Sequence, residues 1–226
     1  MTDADPRLVA ALTAQLALWR VSLGEGAERV GWKLGMGEGE RIGRGPVIGH
    51  LTSATRLEPG AAYRAEGVVD MRADAEVALR LGTDVHPGSD RETAGGAIAG
   101  FGAALELVDL GRPPPGDAER IVATNIWHQA FALSRLDRPP PATGAEGHLM
   151  VNGEVRGAAP LSRDFTDLVQ VVATLLGAVG ERLQAGDSLI TGSVVQVPVE
   201  PGDEVIAALG PLGSVQLSID QRGQTP

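Results

Sequence analysis

Between Asp70 and Leu81 the sequence alternates in a way that only an extended chain can use. Met71, Ala73, Ala75, Val77, Leu79 and Leu81 fall on one side, and Arg72, Asp74, Glu76, Ala78 and Arg80 on the other. A strand with one wholly apolar face needs partner strands and a core beneath it. The rest of the chain supplies both. A second strand is predicted over Ala103 to Asp109, and Leu149 to Ala158 reads as a hairpin around Asn152-Gly153, a strong type I′ turn signal. Asp187 to Ile219 predicts three strands separated by Pro201-Gly202-Asp203 and by Gly210 to Gly213. The 31 Gly and 15 Pro residues supply the turns that so many short strands require.

Helical spacing is confined to a few segments. Leu8, Leu12, Leu16 and Trp19 form a stripe from Pro6 to Leu23, with the proline where a helix start tolerates it and Gly24-Glu25-Gly26 as the stop. Asp117 to Asn125 predicts a short helix. Asp164 is placed to cap a helix reaching about Leu176, with Phe165, Leu168, Val171, Val172 and Leu175 as its apolar stripe. Gly37 to Gly45, Gly111 to Gly116 and Arg138 to Gly147 read as loop, turn and connection. With no internal repeat and no linker, the expectation is a single α+β domain over residues 1–226. It is mostly β, with a helical N-terminal segment over residues 1–30 and a few flanking helices.

Charge and composition narrow the function classes. A net charge of −10 argues against nucleic acid or an anionic membrane as the main partner. The absence of cysteine excludes disulfides, thiolate metal sites and cysteine nucleophiles. No apolar run has the length of a membrane span, and the acidic start lacks the pattern of a signal peptide, so a cytoplasmic protein is expected. Aromatics are only 3% of the chain, which leaves the core to Ala, Val and Leu.

Lys33 is the only lysine; every other cationic side chain is arginine. An amine can give up its proton where a guanidinium cannot, so a position that keeps lysine in an arginine-biased chain is a candidate for proton transfer. Asp74 and Glu76 lie two apart on one strand, with their carboxylates on the same side. That spacing also describes a solvated face of alternating charge. Glu106 stands among Ala103, Ala104, Leu105, Leu107 and Val108, where an ionised side chain needs a partner. Three carboxylates converging from neighbouring strands would make an all-oxygen site for a hard cation, Mg²⁺ or Mn²⁺. His50, His86 and His148 lie near turns and read as surface residues. His128, in Asn125-Ile126-Trp127-His128-Gln129, is a candidate general base. No nucleophile elbow, phosphate loop or dinucleotide fingerprint is present.

Several short motifs occur in a fixed order: Gly31-Trp32-Lys33-Leu34-Gly35, Asp74-Ala75-Glu76-Val77-Ala78, Ala104-Leu105-Glu106-Leu107-Val108-Asp109, Asn152-Gly153-Glu154, Ala185-Gly186-Asp187 through Thr191-Gly192-Ser193, and Pro201-Gly202-Asp203. Together they resemble the fumarylacetoacetate hydrolase superfamily, in particular its 2-keto-4-pentenoate hydratase and 2-oxo-acid decarboxylase branch, over about Gly31 to Ile219. The resemblance implies a mixed β-roll core over residues 31–219, a divalent metal on Asp74, Glu76 and Glu106, and an active-site lysine at Lys33. It further implies a 2-oxo acid or its enol as substrate, handled through a metal-stabilised enolate, and a homo-oligomer of at least two chains. It places Asn125, Trp127, Thr191 and Gly192 at the substrate. Two departures stand out. Asp74 occupies a position where the family usually has glutamate. Thr124-Asn125-Ile126-Trp127-His128 replaces a segment that usually carries an acid, small residues and a serine, which implies a reshaped pocket in which His128 takes part in proton transfer. A carbon–carbon hydrolase of acylpyruvates, a non-catalytic relative and a Schiff-base aldolase using Lys33 are the alternatives, the last leaving the carboxylates without a purpose.

Overall fold

The computed structural model describes residues 6–36 and 46–220. The expected loop from Gly37 to Gly45 lies outside the described residues. In chain order the elements are α1 (Pro6–Gly24), β1 (Arg29–Met36), β2 (Pro46–Thr52), β3 (Ala62–Arg64), β4 (Met71–Leu81), α2 (Arg91–Gly96), β5 (Ile98–Asp109) and α3 (Ala118–Ala123). There follow β6 (His128–Leu133), β7 (Glu146–Val151), β8 (Glu154–Pro160), α4 (Phe165–Gly177), β9 (Ser188–Ile190), β10 (Val195–Pro198), β11 (Glu204–Ala208), a 3₁₀ turn (Gly210–Leu212) and β12 (Ser214–Asp220). The mostly-β α+β class expected from the sequence is the class observed.

Two sheets are built from these strands. One has seven strands in the order β2-β1-β9-β4-β5-β6, with β10 also on β4; the other has five in the order β3-β12-β11-β7-β8. The larger sheet curls until its edges meet. Just beyond β2, the Phe131 N–H donates to Thr55 O at 3.0 Å and the Leu57 N–H to Phe131 O at 2.8 Å, so β6 is stitched to the chain leaving β2. The long β4–β5 ladder sets the geometry, pairing Asp74 with Glu106 and Glu76 with Ala104.

Curling gives the sheet an outside and an inside. The odd-numbered residues of β4 and β5, among them Ala73, Ala75, Val77, Leu105 and Leu107, face outward into the main core. There they meet Val205, Ala207, Val215 and Leu217 of the smaller sheet. The even-numbered residues face inward, where a small separate cluster of Leu51, Ala78, Ala104, Phe131, Leu133 and Ile190 plugs one end. Periodicity alone had left open a solvated second face on β4. That face is buried, because the sheet wraps around it.

Several local expectations hold. The Asp164 carboxylate caps α4 by accepting from the Asp167 N–H at 3.0 Å. Asn152 (φ 53°) and Gly153 (φ 81°) adopt the left-handed pair that a type I′ turn needs. Two expectations change. The buried face of α4 is Phe165, Val169, Val172, Ala173 and Leu176, rotated from the stripe read in the sequence. Thr166, Asp167, Gln170 and Thr174 share one side of this helix, and the apolar arc opposite them is wider than the face that packs, so burial falls toward one edge of that arc. The tail forms four strands instead of three, because the first is interrupted between β9 and β10. No helix among the described residues is long and apolar enough to cross a membrane.

Candidate metal centre

The open end of the curled sheet's interior collects the charged residues. Asp74 and Glu76 on β4 and Glu106 on β5 present carboxylate oxygens that all lie within 4.8 Å of one another. They are 5%, 2% and 2% exposed, which rules out a solvated charged strand. Arg72 does not neutralise them, since it pairs with Asp70 at 2.8 Å, and Arg80 is exposed. The cation that does reach them is Lys33 on β1. Its Nζ bonds Glu106 Oε1 and donates to the Ile126 carbonyl at 3.0 Å.

His128, at the start of β6, also turns inward. Its Nδ1 lies 2.6 Å from Glu106 Oε1, and its Nε2 lies 2.9 Å from Thr55 Oγ1. Burial pushes the imidazole down from its ordinary value, against the pull of Glu106, so the ring is neutral near neutral pH. An ionised carboxylate can only accept, so Nδ1 carries the proton and Nε2 accepts from the threonine hydroxyl.

The other two acids have few donors. Glu76 Oε2 accepts from the Gly192 N–H at 2.7 Å, and Asp74 Oδ1 from Ser193 Oγ at 3.3 Å, with the Gln196 amide as a further partner of Asp74. Burial, then repulsion from Glu106, raises Asp74 to about 7. Burial and the charges of Glu106 and Asp74 hold Glu76 well above the usual carboxylate range. Burial also acts to raise Glu106, but Lys33 and His128 overcome it and keep this acid below its ordinary value. Oxygen donors this close, with one ammonium among three acids, fit a hard divalent cation.

The segment before β6 supplies the support for Lys33. Asn125, Ile126 and Trp127 all have positive φ (67°, 53° and 59°), a left-handed turn of three side-chain-bearing residues. Each such residue costs about 1–2 kcal/mol. The cost is met by tight anchoring. The Asn125 amide donates to His50 O at 3.0 Å and accepts from the His50 N–H at 2.8 Å, and the Trp127 indole N–H donates to Pro113 O at 2.6 Å. The turn aims the Ile126 carbonyl at Lys33.

Of the residues expected at the site, Lys33, Asp74, Glu76, Glu106, His128 and Gly192 are brought together. The Asn125 amide and the Trp127 indole N–H are spent on backbone groups, and the Thr191 hydroxyl donates to Val77 O at 2.9 Å. His50, read as a surface residue, is half-buried instead. Its Nδ1 lies 3.4 Å from Gln15 Oε1, and burial with the nearby His128 and Lys33 lowers it to about 4. Thr55 and Gln196 lie in no motif read from the sequence, and Ser193 closes the Thr191-Gly192-Ser193 motif without being assigned a role there.

Two expected results follow from this geometry. A cation binding here must displace the protons on Asp74 and Glu76. Apparent Mn²⁺ affinity is therefore expected to fall as pH drops below about 7, by about tenfold per pH unit for each proton displaced. The sign for stability is the opposite in the metal-free protein. A folded-state value raised from 3.8 to about 7 contributes stability below 3.8 that is lost as pH rises through 7. The metal-induced rise in Tm should therefore widen from pH 5 to pH 8; a constant increment would refute the shifted acids.

The second result concerns Gly49, opposite Lys33 on β2. A Cβ there would lie 2.5 Å from Asn125 Oδ1 and 2.7 Å from Lys33 Cγ. Gly49→Ala should cost about 1–3 kcal/mol of stability, read by denaturant titration, because the lysine stem or the Asn125 amide must shift.

No family model matches the chain, and no curated protein matches it in sequence. Solved structures do match in fold. The 4-oxalocrotonate decarboxylase from Pseudomonas putida G7, complexed with magnesium and adipate, superposes with a TM-score of 0.84 at 23% identity, covering 94% of this chain and 86% of that one. The fumarylpyruvate hydrolase from Pseudomonas aeruginosa, in complex with Mn²⁺ and pyruvate, gives 0.66 at 14% identity, with 86% of this chain and 91% of that one covered. The 5-carboxymethyl-2-hydroxymuconate delta-isomerase from Mycobacterium smegmatis gives 0.66 at 18%, with 87% and 81% covered. The chain thus has the fold of metal-complexed enzymes of this kind. It is the fumarylacetoacetate hydrolase-like α+β fold that the ordered motifs implied.

Proposed function

We propose that the chain is a divalent-metal-dependent lyase, a hydratase or decarboxylase acting on a small 2-oxo acid or its enol. Asp74, Glu76 and Glu106 would hold Mg²⁺ or Mn²⁺. The observation that carries this reading is the set of three buried carboxylates within 4.8 Å, with the chain's sole lysine bonded to one of them. The 0.84 TM-score to a decarboxylase, against 0.66 to the hydrolase, favours lyase over hydrolase chemistry.

A divalent cation held by Asp74, Glu76 and Glu106 would supply Lewis acidity toward the oxygens of such a substrate. The chain's own groups do the remaining work. Two of the three N–H bonds of Lys33 are directed at Glu106 and the Ile126 carbonyl, leaving the third to deliver a proton to substrate carbon or oxygen, and the neutral amine left behind to take one back. His128 holds Glu106 from the other side, and Thr55 continues that chain of hydrogen bonds. The Leu51, Phe131 and Ile190 plug closes the inner end to water. Thr191 and Gly192 wall the site beside Glu76, while Asn125 and Trp127 frame it through the backbone they anchor.

Calorimetric titration of metal-stripped protein with Mg²⁺ and Mn²⁺, with and without oxalate, tests the reading. Oxalate mimics the enolate of pyruvate. Metal binding that tightens in its presence is the expected result, and absence of metal binding overturns the proposal. A second reading, hydrolysis of an acylpyruvate, draws on the Glu106–His128–Thr55 chain, in which a neutral imidazole is oriented by a carboxylate as a water-activating base would be. Products separate the two: carbon dioxide or a hydrated acid for a lyase, pyruvate plus a second acid for a hydrolase.

A further inference from the structure

β9 and β10 are two pieces of one ladder along β4, interrupted by two extra residues. Ile190 faces Ala78 and Val195 faces Ala75, so five steps of one strand lie against three of the other. The extra length arches over Glu76. It is tied down at both feet, by the Thr191 N–H to Val77 O at 3.1 Å and the Val194 N–H to Ala75 O at 2.9 Å. At its crest Gly192 has φ 90°, a conformation open chiefly to glycine, and its N–H turns inward to Glu76.

The outer side of the arch is held by Arg163, the residue before the α4 cap. Its Nη1 donates to Thr191 O at 2.8 Å and its Nη2 to Ser193 O at 2.6 Å. Among the described residues, Arg163 makes no ion pair with a carboxylate. The Thr191 carbonyl and the Gly192 N–H belong to one trans peptide and point in opposite directions. That single peptide therefore has the Arg163 guanidinium at its oxygen and the Glu76 carboxylate at its nitrogen.

We infer that Arg163 is a positioning residue for the metal centre, acting through the Thr191–Gly192 peptide to fix the rotamer and charge environment of Glu76. The planar fork of the guanidinium matches two carbonyls two residues apart, which a single ammonium cannot span. A cation on one end of a peptide dipole and an anion on the other reinforce each other. The inference rests on the reading of Glu76 as a metal ligand.

The test is Mn²⁺ affinity of the purified, metal-stripped full chain, measured for the parent, Arg163→Gln, Arg163→Lys and Arg91→Gln, with hydrogen exchange at the Gly192 amide as a second readout. Arg91 pairs with Asp164 at the same helix start and touches no part of the arch, so its variant controls for a general loosening of α4. Arg163→Gln should weaken Mn²⁺ binding about 10- to 100-fold, the cost typical of losing a group that orients a ligand, and should speed exchange at Gly192. Arg163→Lys should recover only part of the affinity, and Arg91→Gln should leave both readouts at parent values. Parent-like Mn²⁺ affinity in Arg163→Gln, even with a lowered Tm, overturns the inference and leaves the metal reading standing. A parent protein that binds no Mn²⁺ overturns the metal reading itself.

Discussion

Glu106→Ala is expected to abolish measurable Mg²⁺ or Mn²⁺ binding. Glu106 is the one acid of the three kept below its ordinary value, so it is the carboxylate that is ionised before a cation arrives. It is also where β5, Lys33 and His128 meet. Removing it subtracts a ligand and leaves Lys33 buried with the Ile126 carbonyl as its remaining acceptor. Stranding a buried charge in this way costs about 3–5 kcal/mol, enough to unfold a marginal protein. Glu106→Gln keeps the shape and an oxygen for Lys33 while removing the charge. It should fold, and should bind metal more than about a hundredfold more weakly, since a lost ligand costs more than a lost supporting contact. Calorimetry on both variants decides the matter. Metal affinity equal to the parent's in folded Glu106→Gln would show that the triad is not the binding site.

Lys33→Met should separate binding from chemistry. Methionine keeps most of the stem volume between β2 and Asn125 but removes the ammonium. Losing a positive charge beside a divalent cation does not weaken that cation electrostatically, so metal affinity should stay near the parent value. Turnover of a 2-oxo acid should fall by about 10²- to 10⁴-fold, the range for a positioned acid–base group. Steady-state rates at saturating metal provide the check. Turnover unchanged within a factor of two would remove the amine from the mechanism.

Much of this was legible without coordinates, for reasons that can be traced to particular residues. Asp74, Glu76 and Glu106 could be singled out because strand alternation puts the first two together, while the third stands in an apolar run where a charge is out of place. Lys33 stood out because no other lysine dilutes it. What stayed hidden depends on contacts distant in sequence. Alternation marks two faces of β4 but does not tell whether the sheet curls, and only the stitch of Thr55 and Leu57 to Phe131 buries the second face. Arg163 looks like any other arginine until the chain brings it to carbonyls about thirty residues away. The break between β9 and β10 falls at Gly192, and a glycine inside a strand-like run is a bulge signal that the three-strand reading of the tail does not use. His50 lies close to a turn in sequence, yet α1 covers it through Gln15.

The left-handed turn at Asn125-Ile126-Trp127 has a consequence for how this chain would respond to selection. A β-branched residue at φ 53° is a poor choice for the backbone alone, yet Ile126 is 3% exposed and packed into the main core. Glycine there would relieve about 1–2 kcal/mol of strain and forfeit about 2–5 kcal/mol of buried side chain. It would also loosen the peptide that presents its carbonyl to Lys33. Selection for heat resistance and selection for turnover should therefore agree at position 126, each keeping a large apolar side chain, because the anchor that makes the strained turn tolerable is the one that holds the amine in place.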